Sequence, residues 1–378
     1  MSHLLAIARF EIAQRLKRLS TWVYFVVFFA LSMLWTAAAG GAFAGANIVF
    51  ASGKVWINSP YAIMQTIAFL GMAGLTVIAA LMGRAIQQDY EYRTENFFFA
   101  APLAKWQYLG GRYAGALVVL VIVLSSLALG SFCGTLVPGL DADRLGPRRI
   151  VPYLLPYASM LLPNLVWLGG IFFCVGALSR RMLPVYLGSV LALVGYLLAG
   201  QLLRDIDNKT LAALVDPFGI TAAATVTRYW TIADRNTALV PLTGVLAANR
   251  ALWLGVGALA MAFCYWRFRF AYPAGDARRA PAADDAAAPA APPLRPPATR
   301  LARGSLRLLP HLTWLYWRET VKNLYFAVFA LAGVAFVAVA SSTLGSLFGT
   351  ATWPVTYQML GLVSVSFSVF MVVIITFY

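Results

Sequence analysis

The sequence predicts an all-α, polytopic membrane protein. The chain has 378 residues, of which 61% are hydrophobic and only 11% are charged, and its mean hydropathy is +0.75. A soluble domain carries roughly a quarter charged residues. Repeated apolar runs reach the length of about 20 residues that a helix needs to cross ~30 Å of hydrocarbon. These observations exclude a large soluble core.

Eight apolar runs qualify as transmembrane spans. They are Thr21–Gly45, Pro60–Gly83, Gly110–Val137, Tyr153–Leu178, Met182–Leu203, Asn249–Phe270, Leu324–Leu347 and Val355–Tyr378. The first six predict a six-span domain over residues 21–272, and the last two predict the first spans of a second copy within residues 306–378. Most Lys and Arg residues then fall on the side of the N-terminus, which the positive-inside rule places in the cytoplasm. Arg144, Arg148 and Arg149 run against this assignment.

Residues 1–20 predict an amphipathic helix that lies on the membrane surface before the first span. Apolar residues recur at spacings of three and four, and basic residues occupy the remaining positions. The apolar positions are Leu5, Ala8, Ile12, Leu16 and Leu19. We expect Arg15, Lys17 and Arg18 to act as anchors at the polar boundary of the leaflet.

The stretch 84–108, RAIQQDYEYRTENFFFAAPLAKWQY, concentrates charge and aromatic residues between two apolar runs. Asp89 and Arg93 stand four apart with the acid first, the favourable order for a helical ion pair. Tyr90, Thr94 and Phe97 follow helical spacing and predict one stripe on that helix. A cytosolic helix docked on a partner and a solvated loop with no partner are both compatible with these residues.

Pro102 is predicted to end this helix, and the chain then re-enters the membrane. Lys105 and Trp106 stand at the expected re-entry point and are typical interfacial anchors. Between the fifth and sixth spans, residues 204–249 are too polar to span and too apolar for a plain linker. They predict a helical hairpin on the outer face, because backbone at that depth must be hydrogen-bonded.

Residues 273–305 begin with a Pro/Ala-rich run that predicts a disordered linker between two unequal parts. Both parts resemble each other. Glu11 and Glu319 precede an apolar run, and Pro60 and Pro354 open the next one. Because Arg84 lies 24 residues after Pro60, a second copy of 84–108 would begin just beyond residue 378. We therefore expect the chain to be a fragment of a longer two-half permease.

The sequence carries no recognisable catalytic or nucleotide-binding motif. It has no Walker A pattern, no GxSxG, no CxxC and only two histidines, His3 and His311. No metal, cofactor, nucleic-acid site or enzymatic activity is predicted. Acidic residues inside the apolar runs, which mark ion-coupled transporters, are essentially missing as well. A transporter with this composition would take its energy from a partner subunit.

The order of elements resembles the ABC-2 type permeases, the membrane subunits of ABC exporters. The matching string is D-Y-E-x-R-T…P-L-x-K…Y-L-x-G-R, on Asp89, Tyr90, Glu91, Arg93, Thr94, Pro102, Leu103, Lys105, Tyr108, Leu109, Gly111 and Arg112. The resemblance implies a multi-pass protein of the bacterial cytoplasmic membrane. It also implies that 84–108 is the coupling helix that docks on a separate cytosolic ATPase. Asp89, Tyr90, Glu91, Arg93, Thr94, Pro102 and Arg112 are the coupling residues that it assigns.

The resemblance is closest to a long, two-half branch in which some members carry a C-terminal metallopeptidase. No peptidase motif is present here, so that activity is not carried over. The implied partners are the ATPase, membrane lipid and either a second permease half or a homodimer mate. Two alternatives stay open from the residues themselves: a secondary transporter, and an integral membrane scaffold for a fused peptidase domain.

Overall fold

The computed structural model describes residues 3–43, 54–202, 209–270 and 309–322, together with isolated positions between 326 and 364. The chain divides into two units, Met1–Phe268 and Arg269–Tyr378. The predicted linker over 273–305 lies outside the described residues, as do most positions of the two predicted spans after residue 323.

The first unit consists of helices joined by short connections. Its long helices are α1 (His3–Leu16), α2 (Leu19–Ala39), α3 (Pro60–Ala73), α4 (Leu75–Glu91), α6 (Lys105–Gly134), α8 (Leu162–Ser179), α9 (Leu183–Leu202) and α13 (Gly244–Arg267). Its short helices are α5 (Glu95–Ala100), α7 (Val151–Pro156), α10 (Lys209–Val215), α11 (Ile220–Val226) and α12 (Ile232–Thr237), with a 3₁₀ turn at Ala142–Arg144.

Four helical segments of the described residues are long and apolar enough to cross a membrane. They are Leu19–Ala39, Lys105–Gly134, Val151–Ser179 and Gly244–Arg267, and the bent pair α3–α4 makes a fifth if it counts as one span. The protein is therefore a helical membrane protein. The predicted six-span count is not confirmed over the described residues, where the apolar stretch Leu183–Tyr196 of α9 is shorter than a full span.

The second predicted span, over 60–83, is not one continuous helix. It bends by 51° between α3 and α4 and continues to Glu91. Ser59 caps α3 by accepting a hydrogen bond from the Ala62 amide, and Pro60 fills the first turn. At the bend, Gly74 adopts a helical conformation and packs against Leu124. The extension of α4 carries the chain directly into the segment 84–108.

The fourth span contains a π-helical turn at Tyr157–Leu161 between α7 and α8. Pro156 lacks an amide hydrogen, so the regular bonding pattern cannot run through it. The hydroxyl of Ser159 donates to the Leu155 carbonyl at 2.8 Å. This irregular turn stays helical overall, and α8 then packs along α4. A Cβ added at Gly176 would lie 2.4 Å from the Gly83 carbonyl oxygen, so the two backbones touch there.

The segment predicted to form an outer hairpin folds as three short helices in its described part, residues 209–249. Helices α10 and α11 are joined by a turn at Asp216–Gly219, and α12 follows after a capping box in which Thr231 and Asp234 bond each other. Small residues dominate the buried side of the α10–α11 pair, including Ala213, Ala222 and Ala223. This pair is called the hairpin below.

The second unit is described over one complete helix, α14 (Leu309–Lys322), within the region 306–322 where a second amphipathic helix was expected. Trp314 and Trp317 stack on its surface with ring centroids 4.9 Å apart. Further along, β1 (Ser346–Leu347) pairs antiparallel with β2 (Thr350–Ala351). Apart from this pair of two-residue strands, the described elements of the chain are helices.

Candidate functional site

Helices α1, α4 and α6 meet at one end of the bundle, beside the segment 84–108. Two glycines one turn apart let α1 lie directly on α6. A Cβ at Gly111 would be 2.8 Å from Ile7 Cβ, and a Cβ at Gly115 would be 2.8 Å from the Ala8 carbonyl oxygen. Small residues spaced in this way allow helix backbones to approach closely in membranes. This contact brings Glu11 of α1 opposite Arg112 of α6.

Arg112 is the centre of a buried ionic cluster, defined as Glu11, Arg15, Gln88, Asp89, Tyr108 and Arg112. Its side chain is only 1% exposed and donates to the carboxylates of Glu11 and Asp89, the latter at 2.5 Å. Buried charges are costly unless they are paired and hydrogen-bonded. A single guanidinium therefore joins α1, α4 and α6.

Arg15 balances the second carboxylate charge of the ionic cluster. It donates to Glu11 within α1 and, at 2.7 Å, to the Leu81 carbonyl of α4. Burial lowers the pKa of Arg15, and the neighbouring Glu11 carboxylate opposes that shift. The Gln88 amide donates to Glu11 at 3.3 Å. Two guanidiniums and two carboxylates make the cluster formally neutral.

Tyr108 connects the ionic cluster to α5. Its hydroxyl donates to Asp89 at 2.7 Å, and its ring lies 5.6 Å from Phe98 and 6.3 Å from Phe99. The Arg112 guanidinium also sits 4.8 Å from the centre of the Phe98 ring, a cation–π distance. Phe98 and Phe99 are therefore the half-buried inner side of α5, held against Tyr108 and Arg112 of α6.

The predicted ion pair between Asp89 and Arg93 is wrong. Helix α4 ends at Glu91, and Arg93 takes a left-handed conformation with φ of 54°. The Thr94 amide donates to the Asp89 carbonyl at 2.8 Å and closes this turn. Because the helix does not continue, the predicted stripe of Tyr90, Thr94 and Phe97 is interrupted. Asp89 pairs instead with Arg112.

The outer side of the α4–α5 connection is exposed. Phe97 is 77% exposed and Tyr92 59% exposed, and Arg93 and Pro102 are exposed beside them. We call Tyr92, Arg93 and Phe97 the loop surface. Of the predicted coupling residues, Asp89 and Arg112 are buried, so neither side chain can contact a partner directly in this conformation.

The remaining predicted coupling residues border the loop surface. Glu91 forms an exposed pair with Arg84 at 3.5 Å. Tyr90 is half-buried, and the Arg180 guanidinium, from the turn after α8, lies 4.6 Å from the centre of its ring. Thr94 completes the end of α4. These contacts tie the loop to α8 as well as to α6.

The predicted interfacial anchors divide into two groups. Arg15 is not at the surface, which corrects that assignment: it is buried because Glu11 and the Leu81 carbonyl satisfy it inside the bundle. Lys17 and Trp106 are exposed, and Arg18 donates to Gln88 at 3.4 Å. Lys105 lies 4.7 Å from the ring centre of Tyr265 on α13.

The faces of α1 also differ from the predicted ones. Its buried side consists of Ile7, Ala8, Glu11 and Arg15, whereas Leu5 is 54% exposed. The polar positions that were expected to face solvent thus include two that complete the ionic cluster.

A second polar cluster lies at the start of α13 and was missed by sequence reasoning. Arg250 is 3% exposed and donates to the side-chain oxygens of Asn164 and Asn249, each at 2.9 Å. Asn164 belongs to α8 and Arg250 to α13, so this contact joins two helices. A basic residue inside an apolar run was the available signal for both Arg112 and Arg250, since ionisable residues in spans are rare.

No cluster of three or more His, Cys, Asp or Glu suited to a metal ion occurs within the described ranges. The three cysteines, Cys133, Cys174 and Cys264, are free thiols. No protein-family model, curated protein or solved structure matches this chain.

Proposed function

We propose that this chain is the membrane-spanning permease of an ATP-driven exporter. A separate cytosolic ATPase supplies the energy and docks on the loop surface, Tyr92, Arg93 and Phe97. The observation that carries the proposal is that the α4–α5–α6 connection has one buried side and one exposed side. One side is fixed to the ionic cluster, and the other presents exposed aromatic and basic side chains.

The aromatic side chains of the loop surface suit protein docking. Exposed Tyr, Phe and Arg are enriched where binding energy concentrates in interfaces. Phe97 is among the most exposed large apolar side chains of the first unit, yet it stands next to Phe98 and Phe99, which are held in place. A projecting ring on a rigid base loses little side-chain freedom when it enters a partner pocket.

The ionic cluster supports a transmission role for this connection. Separating a buried, hydrogen-bonded charge pair costs several kcal/mol, because each charge is left in a poorly solvating environment. A displacement of α5 therefore moves α4 and α6 together, and α1 follows through Glu11. In this mechanism the partner changes shape on ATP binding, and the bundle receives that motion as a rigid-body movement.

The test is co-purification with a defined partner. We would express the chain with the Walker A-containing ATPase encoded by a neighbouring reading frame and compare recovery of that ATPase. The double substitution Arg93→Glu and Phe97→Ala changes two of the three residues of the loop surface. A matched control, Arg228→Glu and Tyr229→Ala, changes an exposed Arg–Tyr pair elsewhere, in which Tyr229 is 85% exposed.

We expect the loop variant to lose the ATPase by at least about tenfold, since an interface hot spot contributes roughly 2 kcal/mol or more. The control variant should retain it. Equal recovery with both variants contradicts docking at the loop surface. If no neighbouring frame encodes a Walker A protein, the proposal of a partner-driven exporter loses its main requirement.

One observation favours a second candidate, an ion-coupled secondary transporter. Sequence reasoning found no buried acidic chain in the spans, whereas Glu11, Asp89 and Tyr108 form one around Arg112. Such chains occur in proton relays. The formal neutrality of the ionic cluster disfavours proton uptake. Transport in vesicles would separate the candidates: dependence on ATP supports the exporter, and dependence on a proton gradient without ATP supports the alternative.

A further inference from the structure

Helix α13 begins in a buried polar cluster that the proposed docking and transmission do not use. Arg250 donates from Nε to Asn249 and from Nη1 to Asn164 of α8. Weaker contacts at 3.5 Å reach the Met160 carbonyl in the π-helical turn and the Pro217 carbonyl in the hairpin. One side chain thus touches α8, the π-helical turn and the hairpin.

Asn249 holds the end of α10. Its amide donates to the carbonyl oxygens of Ala213 at 2.7 Å, Leu214 at 3.0 Å and Asp216 at 2.7 Å. The last carbonyls of a helix have no partner within the helix, so they must be satisfied from outside. Here the partner comes from α13, which fixes the hairpin to that helix.

The turn of the hairpin closes over Arg250. Asp216 accepts hydrogen bonds from the amides of Phe218, at 3.0 Å, and Thr221. Gly219 has φ of 74°, and a Cβ there would lie 2.0 Å from Arg250 Nη2. Only glycine fits both the conformation and the space. The turn is therefore shaped around the guanidinium.

The apolar packing of the hairpin relies on one large side chain, Phe218, whose ring centroid lies 4.7 Å from that of Tyr196, and otherwise on small or half-buried residues. Apart from Phe218, its fully buried apolar side chains are Ala213, Ala222 and Ala223. Each alanine has one methyl group to bury, worth about 0.8 kcal/mol per carbon. The polar contacts of Asn249 and Arg250 therefore add specific attachment points to a hairpin in which Phe218 is the one large buried apolar side chain.

We propose that Asn249 and Arg250 form a latch that fixes the hairpin to the end of the bundle, and that α13 connects this latch to the ionic cluster. Helix α13 has 24 residues, a length of about 36 Å. Phe268, which caps its other end, stacks 6.1 Å from Tyr108, the residue that bonds Asp89. A movement at the ionic cluster therefore has a continuous packed route to the latch.

The latch is the weaker of the two polar clusters. Among the described residues, no carboxylate oxygen lies within 4.0 Å of the Arg250 guanidinium, whereas Arg112 has two carboxylate partners. Neutral acceptors bind a guanidinium less strongly than carboxylates do. The latch should therefore open while the ionic cluster stays intact. If the chain is an exporter, opening of the latch would let the hairpin move during transport; this gating role rests on the proposed function.

Hydrogen exchange of the full chain in lipid nanodiscs tests the latch without any partner. Arg250→Met removes the donors and keeps most of the side-chain volume. We expect exchange over 209–226 to rise at least tenfold, with α1 and α4 unchanged. The control Arg228→Met alters an exposed arginine directly after the hairpin and should have no effect. Asn249→Ala, which frees the end of α10, repeats the test should Arg250→Met fail to fold.

The latch is overturned if Arg250→Met and Asn249→Ala both exchange over 209–226 at the wild-type rate. It is also overturned if exchange rises equally across α1 and α4, because that result would indicate a general packing role. The gating part has its own readout. We would introduce Ala213→Cys into a chain whose natural cysteines are replaced by alanine. The new thiol, at a position that is buried in the resting chain, should become more reactive toward an impermeant maleimide when the ATPase and ATP are added. Unchanged labelling contradicts the coupling of α13 to the latch. Failure of the unaltered chain to recover the ATPase contradicts the proposed function instead.

Discussion

Arg112→Met is the sharpest perturbation of the ionic cluster. It removes one guanidinium from two buried carboxylates, Glu11 and Asp89, whose side chains are 0% and 4% exposed. Removing one partner of a buried pair costs about 3–5 kcal/mol, because an uncompensated charge stays buried. The unfolding equilibrium should shift by roughly two to four orders of magnitude at 1.4 kcal/mol per tenfold change.

Arg84→Met provides the matched control for this prediction. Arg84 also pairs with an acid of α4, Glu91, but at 3.5 Å and with both side chains 42% exposed. An exposed pair contributes about 0–1 kcal/mol. Both substitutions exchange the same residue types, so the difference between them reflects the burial of Arg112 and its second carboxylate partner. The assay is reversible unfolding by sodium dodecyl sulfate in mixed micelles, followed by far-ultraviolet circular dichroism.

Charge balance gives a further check on the same variant. Asp89→Asn combined with Arg112→Met leaves Glu11 paired with Arg15, so the remaining cluster is again neutral. The double variant should be more stable than Arg112→Met alone, since coupled neighbours are not additive. The reasoning is refuted if Arg112→Met costs no more than Arg84→Met, or if the double variant equals the sum of its single substitutions.

Two smaller predictions concern helix packing and capping. Gly176→Ala should destabilise the chain by about 1–3 kcal/mol, because the methyl would meet the Gly83 backbone of α4. Gly255→Ala lies within α13 and meets nothing within 4 Å, so it should stabilise the chain by up to about 1 kcal/mol in the same unfolding assay. Hydrogen bonds from Thr231 hold the pKa of Asp234 below its usual value. The cap of α12 should therefore be intact above the unfolded-state pKa and weaken as pH falls through the lower folded-state value. After correction for intrinsic rates, amide exchange over 232–237 should speed up at low pH in the wild type but not in Thr231→Val. Equal pH profiles for the two chains would refute this prediction.

The helical class and most of the long helices followed from composition and apolar run length, because a bilayer imposes both. The bend at Gly74 did not follow. Glycine is tolerated within transmembrane helices, so its presence does not indicate a break. The extension of α4 to Glu91 was missed for a related reason: its last two turns are polar in sequence yet buried against α1 and α6.

The stretch 84–108 was singled out from the sequence, but the ion pair predicted within it was wrong. Sequence spacing offers only local partners, which is why Asp89 was paired with Arg93 four residues away. The true partner, Arg112, lies 23 residues further on, and Glu11 reaches the same guanidinium across 101 residues. Those pairs depend on the close approach of α1 to α6 at Gly111, which helical periodicity alone does not specify.

Site-specific photo-crosslinking from the loop surface tests the central claim most directly. A benzoyl-phenylalanine would replace Phe97 in the cells that naturally produce the chain, and in a control it would replace Leu259, an apolar residue of α13 that is 71% exposed. The proposed docking predicts an adduct between position 97 and a chain bearing a Walker A motif, and none from position 259. No such adduct from position 97, or equal yields from both positions, would contradict it.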